Sequence, residues 1–154
     1  MTTDVDLAYA AGIIDGEGTI GITELRPVDR LRDNGTRVRR SFQHRIYVAV
    51  SMTDPRIPEW MKGEFGGNLQ FVPSRSDKHK PSYRWSMSSK GAADFCELVA
   101  PFLRLKKTQA ILAVEFYKER LSGNFSGSSG VPDDEVAARR EYVEKIHQLN
   151  KRGT

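Results

Sequence analysis

The sequence predicts an α+β fold built around a four-stranded antiparallel sheet. Three observations support this prediction. Helical and alternating hydrophobic patterns follow one another in the order helix, two strands, helix, two strands and further helices. Short segments containing Gly or Pro separate these patterns. At 154 residues and 38% hydrophobic composition, the chain is long enough for one hydrophobic core.

The first predicted element is a helix over residues 4–15. Its small and apolar residues recur at near-helical spacing, and Asp4 and Asp6 are placed to cap its start. The following run contains Gly16 and Gly18. Because glycine readily adopts the left-handed conformation that ends helices, we expect the helix to stop there.

The strands are predicted from residues that alternate between apolar and polar types. They cover residues 19–25, 41–52, 68–72 and 82–88. An Arg-rich loop joins the first two. In the last strand Tyr83, Trp85 and Met87 form an apolar face opposite a polar one.

Further helices are predicted after the first strand pair. They cover residues 54–65, 91–99, 102–121 and 133–151. Gly66 and Gly67 should end the first of these, and Pro101 separates the second from the third. We assign residues 1–121 to the main domain, residues 122–132 to a flexible Gly- and Ser-rich linker, and residues 133–154 to a charged C-terminal helix of the same domain.

Composition narrows the class of protein. Lys and Arg outnumber Asp and Glu by 24 to 20 and the pI is about 9.3, which favours a polyanionic partner. The single cysteine, Cys96, excludes an intramolecular disulfide and a thiolate-rich metal site. The histidines are too far apart for a zinc-finger spacing. We expect a cytoplasmic protein, since the chain has no long apolar run and its N-terminus is acidic.

Three segments carry a resemblance to a known family. Residues 10–18 read Ala-Ala-Gly-Ile-Ile-Asp-Gly-Glu-Gly, which closely resembles the LAGLIDADG signature with Glu17 at its last acidic position. The Phe-Gly-Gly run at 65–67 resembles the family's glycine turn, and residues 101–110 resemble the segment with its basic residue. The chain is thus similar to the LAGLIDADG homing endonucleases over roughly residues 7–121.

The resemblance implies a fold and an activity. The fold is αββαββα, with a four-stranded antiparallel DNA-binding sheet and extra C-terminal helices. The activity is metal-dependent hydrolysis of double-stranded DNA at a long pseudo-palindromic site, with Mg2+ or Mn2+ and short 3′ overhangs. A single motif copy implies a homodimer, and the family serves intron or intein mobility. Neither a membrane nor a small-molecule substrate is expected.

Residue chemistry supports a dimer independently of the resemblance. Ala8, Ala11, Gly12 and Asp15 lie three or four positions apart, so one helix face lacks bulk and another backbone can approach closely. Two copies packed about a twofold axis would bring two Glu17 carboxylates together. Divalent cations would relieve their repulsion and could activate water for phosphodiester hydrolysis.

The candidate catalytic residues are Glu17, Lys106 and Arg56, and the candidate metal site consists of Glu17 and Gly16. Lys106 matches the family's basic residue near the scissile phosphate, where it would stabilise transition-state charge. Met52 stands where family members often have a polar side chain. This departure leaves Arg56 or Ser51 to support the solvent network.

A curved antiparallel sheet can read base edges in the major groove with alternate side chains. The candidate basic contacts are Arg26, Arg30, Arg32, Arg37, Arg39, Arg40 and Arg45 around the first strand pair, and Arg75, Lys78, Lys80 and Arg84 around the second. The uncharged candidates, chosen by strand alternation, are Thr19, Thr23, Gln43, Tyr47, Gln70 and Ser86. A register error of one residue would invert each choice.

Two other functions remain open at this point. The first is a DNA-binding regulator or an intron-splicing maturase that shares the fold but does not cleave. The second is an interaction module whose basic face binds RNA. Local context alone also allows Glu17 to be a solvated turn residue and Lys106 an ordinary surface lysine.

Overall fold

The computed structural model describes residues 2–26, 28–31, 37–39, 42–121 and 131–151. Its helices are α1 (Asp4–Glu17), α2 (Arg56–Phe65), α3 (Ser89–Val99), α4 (Lys107–Phe116) and α5 (Asp133–Asn150). Its strands are β1 (Gly18–Leu25), β2 (Val28–Leu31), β3 (Arg37–Arg39), β4 (Gln43–Met52), β5 (Asn68–Val72) and β6 (Ser82–Ser88). A 3-10 turn at Ala100–Phe102 precedes α4, and a π-helical turn at Tyr117–Leu121 extends it.

Four of the strands form one antiparallel sheet in the order β1-β4-β6-β5. This confirms the predicted α+β class and the αββαββα order. Strands β2 and β3 form a separate two-stranded sheet. The Arg-rich loop prediction was wrong for these segments, because their few apolar residues are too widely spaced among charges to give a strand pattern.

The core lies on one face of the four-stranded sheet. Alternate residues of β4, including Ile46, Val48 and Val50, are buried on that face, as are Ile20 of β1 and Trp85 of β6. Helices α1, α3 and α4 supply the other side of this core. Their buried residues are Ala10, Ala11, Ile14, Ala92, Phe95, Cys96, Val99, Ala110, Ala113 and Phe116.

Helix α1 begins at Asp4 as predicted, but its N-cap is Thr3 rather than Asp4 or Asp6. Thr3 is the N-cap, and its hydroxyl accepts the Asp6 N–H at 3.1 Å while the Asp6 carboxylate accepts the Thr3 N–H at 3.1 Å. Asp6 therefore completes a reciprocal capping box, and Asp4 lies in the first turn, where it complements the helix dipole.

The end of α1 differs from the prediction. The helix continues to Glu17, and Gly18 has an extended backbone with φ −95°, so the expected left-handed glycine is wrong here. Glycine is needed instead for close packing, because a Cβ on Gly18 would lie 2.8 Å from Ile14 Cα. The predicted end of α2 at Gly66 and Gly67 is confirmed, and both residues have the positive φ that favours glycine, 79° and 93°.

The predicted helix over residues 102–121 begins only at Lys107. The backbone N–H groups just before it donate to a side chain of α1 rather than forming a helical turn, as described below. The long-range contact overrides the local helical pattern.

Helix α5 packs on β1 and α4. Its apolar residues Val136 and Ile146 are buried, whereas Leu149 remains 37% exposed. The buried Arg139 guanidinium donates to Glu135 at 3.3 Å and to the Arg120 carbonyl at 3.1 Å. Among the described residues, no helix combines the length and apolarity needed to span a membrane.

His44 is a buried titratable group between the sheet and α4. Its Nε2 lies 2.9 Å from the Glu24 carboxylate, and its Nδ1 has no hydrogen-bond partner among the described residues. Burial holds the pKa of His44 below its ordinary value of 6.5, although Glu24 opposes this shift. The imidazole therefore resists protonation in the folded protein.

We predict that the free energy of unfolding decreases as the pH is lowered through about 6.5. The unfolded chain takes up a proton on His44 in this range, whereas the folded chain does so only at lower pH. Urea denaturation between pH 7.5 and pH 5 measures this slope. His44→Gln can still donate to Glu24 but cannot titrate, so it should flatten the dependence. An unchanged slope in the variant would show that groups other than His44 cause the pH dependence.

Candidate active site and nucleic-acid interface

Glu17 is the last residue of α1 and directly precedes β1. Its side chain is exposed, as is Gly16 beside it. The last carbonyl groups of a helix have no partners within the helix and carry partial negative charge. The candidate acid therefore lies at a place where cations are favoured.

The Asp15 carboxylate binds the segment that precedes α4. It accepts the backbone N–H groups of Arg104 at 2.8 Å, Leu105 at 3.1 Å and Lys106 at 3.0 Å. A carboxylate that accepts several N–H groups makes strong, charge-assisted hydrogen bonds. Asp15 therefore fixes the end of α1 against the start of α4.

Lys106 completes this connection from the other side. Its Nζ donates to the carbonyls of Ile14 at 2.9 Å, Asp15 at 3.2 Å and Gly18 at 2.6 Å. Burial lowers the pKa of Lys106, while the negative charges of Asp15 and Glu17 oppose that shift. An ammonium whose three hydrogens are all donated acts as a fixed positive charge, and it is not available as a base in this arrangement.

The exposed face of α1 is suited to close packing. Ala8 and Gly12 are exposed, and a Cβ added at Gly12 or Gly16 would meet nothing within 4 Å. Val5 and Tyr9 on the same helix are 78% and 52% exposed.

Two of the predicted dimer residues have different roles. Ala11 is fully buried in the core of its own chain, so its side chain cannot contact a second copy. The Asp15 carboxylate is committed to the segment before α4. Helical spacing identified the small residues of α1. It did not show which of them pack into the core of their own chain.

The described residues contain no group of three or more His, Cys, Asp or Glu side chains that could hold a metal within one chain. The Glu17 carboxylate and the Gly16 carbonyl are the oxygen donors that the sequence nominated. Both residues are exposed at the negative end of a helix, and hard oxygen donors of this kind fit a divalent cation.

The other catalytic candidates lie at or just after the C-terminal end of β4, where Val50 pairs with Gly18 of β1. Arg56 begins α2, and its guanidinium donates to both oxygens of the exposed Asp54 carboxylate. Met52 is partly buried on the core face, so packing accounts for its apolar character. Ser51 lies opposite Arg84 on the other face of the sheet and is exposed.

The second face of the sheet is open. The strand register places all eight predicted strand contacts on it, namely Thr19, Thr23, Gln43, Arg45, Tyr47, Gln70, Arg84 and Ser86. Opposed pairs such as Thr23 with Arg45, and Gln70 with Arg84, put polar side chains next to each other. Strand alternation alone was sufficient to group these side chains.

Gly21 is a residue of this face that sequence reasoning missed. A Cβ on Gly21 would lie 2.8 Å from the hydroxyl oxygen of Tyr47, so the tyrosine ring lies directly over the glycine. Tyr47 is half-buried as a result. The signal was a lone glycine inside a strand, which often marks a close approach of another group.

The basic clusters border the open face. Arg26 is exposed at the end of β1, and Arg75, Lys78 and Lys80 are exposed between β5 and β6. The remaining candidates have side chains outside the described residues, although three of them belong to β2 and β3. They are Arg30, Arg32, Arg37, Arg39 and Arg40.

The last turn of α5 also reaches the end of α1. A cleft of about 800 Å³ is lined by Gly16, Gly18 and Lys106 on one side and by Gln148 and Asn150 on the other. The hydrophobic periodicity of α5 did not predict that its last turn lies near the end of α1, because this contact depends on how the helix docks.

Solved structures with the same fold match almost the whole chain. The homing endonuclease I-CvuI in complex with its target has a TM-score of 0.71 and 19% identity, over 94% of this chain and 82% of that one. The archaeal intron-encoded homing endonuclease I-Vdi141I complexed with DNA has a TM-score of 0.70 and 14% identity, over 95% and 84%.

The LAGLIDADG homing endonuclease I-GzeII, in complex with a DNA target, matches 91% of this chain and 43% of its own at a TM-score of 0.61 and 14% identity. These similarities show that the chain has the fold of the LAGLIDADG homing endonucleases. No protein-family model and no curated protein matches the sequence.

We predict that Asp15→Asn lowers the free energy of unfolding by about 1–3 kcal/mol, because the amide can accept with only one oxygen and leaves a backbone N–H unpaired. Chemical denaturation measures the loss. Asp94→Asn is the matched control, since Asp94 makes only an exposed ion pair with Lys90 one helical turn away. Equal effects of the two substitutions would contradict a special role of Asp15.

Proposed function

We propose that this chain is a site-specific endonuclease that cleaves double-stranded DNA by metal-dependent hydrolysis. The observation that carries the proposal is the exposed Glu17 carboxylate at the end of α1, next to the fixed charge of Lys106 and at the start of an open polar sheet. The candidate acid, the positive charge of Lys106 and the polar face of the sheet thereby lie in one structural unit.

The fold supports DNA as the substrate. I-CvuI, I-Vdi141I and I-GzeII share it, and each was solved with DNA. The open face of this chain carries Arg45, Arg84 and Gln70 in adjacent strands. Arginine and amide side chains can bind base edges bidentately, and arginine also binds phosphates.

The active form is a homodimer. One chain offers one exposed carboxylate at this site, whereas cutting both strands requires one acid for each. The exposed face of α1, with Val5, Ala8 and Gly12, lets a second α1 approach closely. Two Glu17 side chains then meet near the symmetry axis.

A divalent cation, Mg2+ or Mn2+, would polarise the scissile phosphate and lower the pKa of the attacking water. Structures of I-CvuI with DNA were determined in the presence of 2 mM Ca or 2 mM Mg. In this chain, the Glu17 carboxylate and the Gly16 carbonyl would hold the ion. Lys106 would stabilise negative charge that develops on the phosphate, without taking up a proton.

The dimensions of the sheet suggest the length of the site. Strand β4 has 10 residues, which extend about 33 Å. One DNA turn of about 10 base pairs occupies about 34 Å. Each subunit therefore covers a half-site of about one turn, and the dimer covers a pseudo-palindrome of about two turns. Cuts in the two strands across the minor groove at the centre of such a site would leave short 3′ overhangs.

Selection from a randomised duplex library tests the proposal. Purified protein is incubated with the library and Mg2+, and the cut ends are sequenced. Double-strand cuts at a pseudo-palindromic consensus with 3′ overhangs are expected. Specific binding without cutting would instead indicate a cleavage-deficient regulator or maturase, and preference for RNA competitor would indicate an RNA-binding module.

Glu17→Gln should abolish cleavage with Mg2+ while the dimer and DNA affinity persist. The amide keeps the size of the side chain but removes the charge that holds the metal. Cleavage assays, sedimentation of the DNA complex and binding titrations measure the three properties. Glu115→Gln, an exposed carboxylate on α4, is the control and should cut normally. Double-strand cutting by the Glu17 variant would disprove the proposed site.

Arg45→Ala and Arg84→Ala should weaken DNA binding. If the lost contact is to a phosphate, the slope of log K against log salt should fall by about one unit. If it is to a base, discrimination at one base-pair position should relax instead. Lys62→Ala on α2 serves as the control for loss of one charge. Unchanged affinity and specificity in both variants would place the DNA elsewhere.

A further inference from the structure

Strand β1 is at the edge of the four-stranded sheet, with β4 as its neighbour in the sheet. It starts directly after Glu17 and ends at Leu25, before the Arg-rich segment. The strand therefore connects the candidate cutting end of the molecule to its outer DNA-reading end. Helix α5 packs against this edge strand and is joined to it at two points.

The first connection lies near the cutting end. The Asn150 side chain donates from Nδ2 to the Ile20 carbonyl at 2.9 Å and accepts from Gln109 Nε2 at 3.4 Å. Ile20 is in the strand that follows Glu17, and Gln109 is in the helix that follows Lys106. Asn150 thus links the two segments that carry the candidate catalytic acid and cation.

The second connection lies near the outer end. The Arg140 guanidinium donates to both oxygens of Glu24, at 3.0 and 3.3 Å, and lies 4.4 Å from the centre of the Phe42 ring. Glu24 also binds the buried His44. The Arg140 contact is the largest cause of the lowered pKa of Glu24. A paired arginine and carboxylate in this geometry define both distance and orientation.

The spacing of the two connections matches. Residues 140 and 150 of a helix are about 15 Å apart at 1.5 Å per residue. Residues 20 and 24 of a strand are about 14 Å apart at about 3.4 Å per residue. Because these lengths agree, both connections form at once without bending either element.

We propose that α5 is a positioning element with two separable ends. Asn150 positions the strand of Glu17 relative to the helix of Lys106 and so affects the cleavage step. Arg140 positions the outer end of β1 and so affects how Thr23 and its partner Arg45 on the open face read DNA. Both are positioning residues that act through β1, and the proposal rests on the proposed endonuclease function.

The test compares Asn150→Asp and Arg140→Ala in the full chain, with Glu141→Ala, exposed on the same helix, as the control. Asn150→Asp is isosteric and still accepts from Gln109, but it cannot donate to Ile20. We expect its single-turnover cleavage rate at saturating protein to fall about tenfold, because small displacements of catalytic groups are costly. Its DNA affinity should stay within about twofold.

Arg140→Ala should show the opposite pattern. Discrimination at the outermost base pairs should fall about tenfold, which corresponds to about 1.4 kcal/mol, while the saturating cleavage rate stays unchanged. Arg140→Lys keeps the charge but loses the paired geometry, and it should not restore discrimination fully. Loss of rate and affinity together in both variants, in step with the melting temperature, would overturn the proposal, as would no change in either.

Hydrogen exchange separates this proposal from the endonuclease function. Without DNA, Asn150→Asp should increase amide exchange mainly in residues 18–21, and Arg140→Ala mainly in residues 22–25. If the wild-type protein neither binds nor cuts DNA, the endonuclease function fails, and this exchange pattern still tests the two connections. Uniform exchange along β1 in both variants would show that the ends are not separable.

Discussion

The junction between α1 and the segment before α4 is the interaction on which the rest of the structure depends. Asp15 accepts backbone N–H groups of residues 104–106, and Lys106 donates back to carbonyls at the end of α1. A helix end has unpaired carbonyls and partial negative charge, so a buried ammonium stabilises it. The same contact places the Lys106 charge beside Glu17. Stability and chemistry therefore rely on one set of hydrogen bonds.

This junction also determines where the candidate acid lies relative to the sheet. Because α1 ends at Glu17 and β1 starts at Gly18, the candidate acid lies where the helical layer meets the sheet. The core face of the sheet is covered by helices, which leaves the opposite face open for alternate side chains. Arg45 and Arg84 lie on that face for the same reason that Val48 and Trp85 are buried.

Under the proposed function, the chain supplies one half of what double-strand cleavage requires. Among the described residues, Glu17 belongs to no group of three or more His, Cys, Asp or Glu side chains that could hold a metal. Helix α1 buries Ala11 in its own core and exposes Ala8 and Gly12 on its other side. One helix can therefore complete its own core and still offer a face to a second copy. Helix α5 adds a link along β1 that joins the two functional ends.

The sequence by itself determined the order of the helices and of the four strands of the main sheet, the two faces of those strands and the residue type at the candidate acid, but not β2 and β3. These features depend on local periodicity and on a short motif, which can be read without knowing the long-range contacts. Thr23, Arg45 and Gln70 were grouped correctly by alternation, and Gly66 and Gly67 have the expected left-handed backbone.

Only the tertiary structure decided which small residues of α1 face inward, that Gly18 serves close packing, and that Lys106 caps a helix. Asp15 and Lys106 are 91 positions apart, and Asn150 and Ile20 are 130 apart. No local pattern encodes which distant groups will satisfy a carboxylate or a carbonyl. These hydrogen bonds depend on how the elements dock, because docking decides which donors and acceptors come within reach of one another.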